Sequence, residues 1–163
     1  MTRQEALDRL RDFSIQGEDV YLIDLIPLVE MIWSDGQAQA SEIGIFQAYL
    51  IKHVNNVNTI AGYKMLTIEK AEQFLQRFLN CRPSEKLLHT LRSLIPPLRL
   101  SGSDDDANQM LRTSMLQGCL DIAASSVTED PYQAIERFCS DEKKCWFEIF
   151  DTLNDRSKSA PSN

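Results

Sequence analysis

A chain of 163 residues, 43% hydrophobic and 25% charged, has the size and composition of one globular domain with a sizeable core. Its formal net charge of −7 speaks against nucleic acid, because a phosphate-binding face needs clustered Lys and Arg, and here the basic clusters stop at Arg92/Arg99 and Lys143/Lys144. Six glycines and six prolines leave long stretches without turn signals, which favours helices over a many-stranded sheet.

Residues 3–14 set Ala6, Leu7, Leu10 and Phe13 on one helical face against Glu5, Asp8, Arg9 and Asp12 on the other, a surface helix broken at Gln16-Gly17-Glu18. The run from about 19 to 34 is apolar on most sides and is expected at the centre of a bundle. Pro27 removes a backbone donor within it and predicts a kink or a late helix start. Asp24 and Glu30 lie six apart on different faces of this run, and burying either calls for a partner such as an arginine, a structural arrangement more often than a catalytic one.

Beyond the turn Ser34-Asp35-Gly36, residues 41–55 read as a third helix with Ile45, Phe46, Tyr49, Leu50 and Val54 inward. Ser41 is its expected cap, Asn55-Asn56 its expected end, and His53 in the last turn would offset the dipole. A polar link at 58–63 precedes a helix at 67–80 carrying Ile68, Ala71, Phe74, Leu75, Phe78 and Leu79. Pro83-Ser84 restarts the chain into Leu87, Leu88, Leu91, Leu94 and Ile95, stopped at Pro96-Pro97. Glu85 and His89 share one face of that helix, but two ligands do not make a structural zinc site.

A linker, Ser101-Gly102-Ser103, leads to Asp104-Asp105-Asp106 and a long helix through Ala124, with Ser103 as N-cap. Ser125 to Asp130 reads as a loop, Pro131 opens a short helix through Phe138, and Ser140 to Leu153 is the last helix. Residues 1–153 thus read as a single domain, and 154–163 as a polar, disordered tail. Cys81, Cys119, Cys139 and Cys145 form no CxxC pair. The opening residues suit an amphipathic helix better than a leader, and Tyr21–Trp33 is too short and too charged to span a bilayer, so a cytoplasmic location is expected.

The most informative element is the Asp35-Gly36 turn with Glu42 six residues after the glycine. That spacing matches the second half of a calcium loop, but the positions two and four before Asp35 are Trp33 and Met31, so it is no EF-hand and any cation is held weakly. A structural reading is also complete: Gly36 ends one helix in the left-handed region and Glu42 complements the dipole of the next. A faint echo occurs one hundred residues on, where Asp141-Glu142 leads to Trp146, Ile149 and Phe150 as Ser41-Glu42 leads to Phe46, Tyr49 and Leu50.

The apolar helix Leu22–Trp33, the Ser34-Asp35-Gly36 turn, Glu42 with the helix behind it, and the Ser140-Asp141-Glu142 start of the last helix together resemble the TerB-like domain of tellurite-resistance proteins. The motifs cover roughly a quarter of the chain, with helix order agreeing across most of it. The resemblance implies an all-α, compact bundle of about seven helices and a non-enzymatic, stress-associated function. It further implies a protein partner near a membrane surface and a divalent cation at acidic residues, here Asp35, Glu42 and Glu142 as metal candidates. Gln37 stands where an acid often follows the glycine, which argues for weak binding.

No G-x-S-x-G, phosphate loop or H-E-x-x-H is present to suggest an enzyme. The alternative expectation is a small apolar or aromatic ligand, or an unrecognised active site, in an interhelical pocket lined by Trp33 and the aromatics of the last helix. Trp33, Phe46, Trp146, Phe147 and Phe150 are otherwise expected in the core.

Overall fold

The Thr2 hydroxyl accepts the Glu5 N–H at 3.2 Å and the Glu5 carboxylate accepts the Thr2 N–H at 2.7 Å, a reciprocal cap that starts α1 (Arg3–Asp12). The computed structural model describes residues 1–99, 105–125 and 140–154. The expected linker at 101–103, the Ser103 cap, the loop and short helix between 126 and 138, and the tail from 155 lie outside the described residues.

After α1 the chain turns at Gly17 into a 3₁₀ segment (Gly17–Leu25), which passes directly into α2 (Ile26–Trp33). Pro27 falls in the first turn of α2, where its missing N–H leaves no helical bond unmade, so it marks a late helix start and not a kink. Every residue from Ile26 to Ile32 is buried. The helix packs against α3 (Ala40–Ala61), α5 (Glu85–Ser93), α7 (Asp105–Ser125) and α8 (Ser140–Asn154), so it is the axis of the bundle. Burial of side chains such as Leu28 and Ile32 contributes about 1.5–3 kcal/mol each.

Helix α3 begins at Ala40, capped by Gln39 and not by Ser41, and continues past Asn55-Asn56 to Ala61, where Gly62 at φ +78° terminates it. The asparagines fail as a stop because Asn58 acts one turn later. Its side-chain oxygen accepts the N–H groups of Met65 and Leu66 at 2.9 and 2.8 Å, and its amide donates to the Leu66 carbonyl at 2.9 Å. Thr67 then caps α4 (Ile68–Leu79), and Ser84 caps α5, which leads into the short α6 (Ile95–Arg99).

The long α7 lies across α2 and α3, and α8 closes the bundle over α7 and α2. Among the described residues there is no strand, and seven α-helices together with the short α6 make an all-α bundle. Phe46 is fully buried as expected, but Phe147 is 59% and Phe150 39% exposed, so the last helix turns part of its aromatic face outward. Among the described residues no helix is long and apolar enough to cross a membrane.

Candidate functional site

The connection from α2 to α3 is held by its own side chains. The Gly36 N–H donates to the Trp33 carbonyl at 3.0 Å, and its φ of +90° is a left-handed conformation open to glycine at little cost. A Cβ at Gly36 would also stand 3.3 Å from Arg82 Nη1. Asp35 Oδ1 accepts the Gln37 N–H at 3.0 Å, and Oδ2 lies 3.5 Å from Gln39 Nε2. The Gln39 N–H donates to Glu42 Oε2 at 2.8 Å in a capping box.

Asp35 is exposed, whereas Glu42 and Glu142 are 1% and 3% exposed. Each glutamate is the third residue of its helix, α3 in one case and α8 in the other, so the hundred-residue echo has a structural counterpart. Burial pushes the Glu42 carboxyl up to about 7, opposed by the Gln39 N–H and reinforced by the negative charges of Asp35 and Glu142. The charges of Asp35 and Glu142 thus both reach Glu42, though 107 positions separate those two in the chain. Among the described residues no three His, Cys, Asp or Glu side chains are grouped to hold one metal ion.

A carboxyl raised in the folded state binds its proton more tightly there than in the unfolded chain. Its stabilising effect is complete below the unfolded value of 4.5 and is lost as pH rises through about 7. The Tm should accordingly rise as pH is lowered from about 8 toward 5.5. Glu42→Gln keeps the capping geometry without the charge and should flatten part of that rise. Melts of the two proteins across this range test it, and parallel pH profiles would remove Glu42 as the source.

A second polar layer runs through the centre. Glu30 Oε1 accepts from Arg92 Nη1 at 2.8 Å, and Asp24 Oδ2 accepts from Arg99 Nε at 2.8 Å, so both acids of the apolar run have the arginine partner expected of them. Arg99 also donates to the Val20 carbonyl at 3.2 Å and stacks over Tyr21. His53 is not at a helix end. It sits buried in mid-helix with Nε2 2.7 Å from the Tyr21 carbonyl, tying α3 to the 3₁₀ segment.

Around Glu30 the helices leave a cleft of about 360 Å³. Its floor and walls come from α2 (Glu30, Trp33), the Asp35-Gly36 loop, the start and face of α5 (Glu85, Leu88, His89) and α8 (Asp141, Cys145, Glu148). His89 Nε2 lies 3.4 Å from Glu148 Oε2 and 3.8 Å from Glu30 Oε1, while Arg92 Nη2 is 4.0 Å from Glu148 Oε2. Glu30 Oε2 is buried without a hydrogen-bond partner, a deficit that costs roughly 1–3 kcal/mol or more for a charged group. Burial pushes the Glu30 carboxyl up to about 7 against the pull of Arg92. Burial likewise pushes the Cys145 thiol up to about 12 and raises that of Cys119, so neither is a ready thiolate.

Trp33 and the pair Glu85/His89 do meet in one cavity, but α8 turns charged residues into it in place of the expected aromatics. Arg92, Cys145 and Glu148 were not foreseen as site residues. The signal for Arg92 was available: it follows Leu88 by four and so lies on the apolar face of α5. Compared with family models, characterised proteins and solved structures, the chain matches none of them.

Proposed function

We propose that this chain is a non-enzymatic, TerB-like, stress-associated adaptor that works through a protein partner, with a weakly held divalent cation at its acidic end. What supports this reading most is that the Asp35 loop and the start of α8 line one cleft through Asp35 and Asp141, and that Glu42 and Glu142 each stand third in their helix. Their fit to a metal is partial. One oxygen of Glu42 is engaged by Gln39, both oxygens of Asp35 have donors in the loop, and a hard cation wants six or more oxygens. The arrangement suits a cation that keeps much of its water, attracted by charge more than enclosed.

Two thiols held in the neutral form and a buried histidine engaged by a carbonyl speak for a role other than nucleophilic catalysis. Titration calorimetry with calcium and manganese is the test. Binding with Kd on the order of 0.1–1 mM is expected, weakened strongly by Asp35→Ala. Identical heats from the two proteins would leave the Asp-Gly loop as a helix connector and end the cation part of the proposal.

A further inference from the structure

We propose that the cleft between α2, α5 and α8 binds an organic cation, a primary ammonium on an alkyl chain, with the carboxylates of Glu30 and Glu148 as its acceptors. The first support is the floor of the cleft. Glu30 is 5% exposed, its Oε1 is taken by Arg92, and its Oε2 has no donor at all. Native interiors leave few such atoms, and the side chain that carries this one lines the cleft, so a small shift of its carboxylate would offer the spare oxygen to a donor from outside.

Charge gives the sign of the ligand. Five carboxylates line the cleft (Glu30, Asp35, Glu85, Asp141 and Glu148) against two permanent cations, Arg82 and Lys144, and Arg92 behind the floor is already bonded to Glu30. An anion is disfavoured there.

Size and walls separate an organic cation from a metal ion. About 360 Å³ lies in the range of small-molecule sites, and no three metal-binding side chains among the described residues are grouped around one point. Leu88 and Pro83 offer apolar surface for methylenes. The indole N–H of Trp33 is bonded to the Phe78 carbonyl at 2.9 Å, so Trp33 contributes ring surface to the cleft and not a donor, as suits a cation.

The groups facing Glu30 give the pH behaviour. Arg92 and His89 approach from α5, Glu148 and Cys145 from α8, and the buried Cys119 from α7. An ammonium takes the ionised form of Glu30, so binding strengthens as pH rises through about 7.

The experiment is calorimetric titration of the full chain at about pH 8 and low salt with 1,5-diaminopentane and with Nα-acetyl-lysine amide, magnesium chloride serving as the inorganic comparison. Saturable binding of an amine with Kd below about 1 mM is expected, weakened at least about tenfold by Glu148→Gln and unchanged by Glu72→Gln, an exposed acid on α4. Glu148 is partly exposed, so that variant should fold even if Glu30→Gln does not. Tighter binding of the diamine identifies a free polyamine-like ligand, and tighter binding of the lysine amide identifies a lysine side chain. Absence of saturable heat from both amines, equal affinities for wild type and Glu148→Gln, or a response to magnesium alone overturns the proposal. Glu42→Gln keeps this test apart from the previous one, since Glu42 belongs to the proposed cation site and does not line the cleft: it should weaken the metal response and leave amine binding within about twofold.

Discussion

Arg92→Met is expected to destabilise the bundle by about 3–5 kcal/mol near pH 8, among the largest effects of any single change. Arg92 and Glu30 are 6% and 5% exposed, and their 2.8 Å contact joins α5 to the central helix. Removing the guanidinium strands a carboxylate in an apolar interior, and that uncompensated charge, more than the lost attraction, is the cost. Glu30→Leu added to Arg92→Met removes the stranded charge and should recover most of the loss. The pair of singles and the double, compared by urea denaturation, form a cycle in which strict additivity would refute this account. The defect should also shrink as pH falls toward about 7, because without the guanidinium, which holds the Glu30 pKa down, the carboxyl takes up its proton at a higher pH than in the wild type.

Gly118→Val is expected to cost about 3 kcal/mol for a different reason, overpacking where two helices cross. A Cβ at Gly118 would lie 2.8 Å from Leu28 Cδ2 and 3.1 and 3.2 Å from the Tyr49 ring. Tyr49 has little freedom to yield, since its hydroxyl is bonded to Asp121 Oδ2 at 2.6 Å. Leu28 is fully buried, so it can move only by displacing its own neighbours. Gly118→Ala places the same Cβ against Leu28 and Tyr49 and should also destabilise, but less, since it adds no γ-methyls and gains about 1 kcal/mol of helix propensity. Urea melts rank the three proteins, and a valine variant as stable as wild type would mean that α7 can lift away from α2 and α3.

The helices were legible where apolar residues recur at helical spacing and a cap or proline marks the start, as in Thr67, Ser84 and Pro27. The 3₁₀ segment Gly17–Leu25 was not, because an almost continuous apolar run gives the same reading for three residues per turn as for 3.6. The end of α3 was misplaced for a similar reason, since Asn55-Asn56 looks like a stop until the bonds of Asn58 are known. Of the site, the acids were visible because the Asp-Gly turn and the echo at Glu142 are local patterns. The ion pairs and the cleft were not, because Glu30 meets Arg92 62 positions away, and a cavity assembled from three helices leaves no spacing to read.

The Asn58 clasp bears on how this chain can be cut, extended or labelled. Connections between helices are the usual places to insert a tag or open new termini, on the premise that their backbone faces water. Residues 63–66 look like such a place, with Tyr63 and Lys64 exposed. Yet the amides of Met65 and Leu66 and the Leu66 carbonyl are all bonded to one side chain, and Leu66 is fully buried. Those two amides should exchange with deuterium about as slowly as helical ones, and a protease or an inserted peptide should find this connection closed.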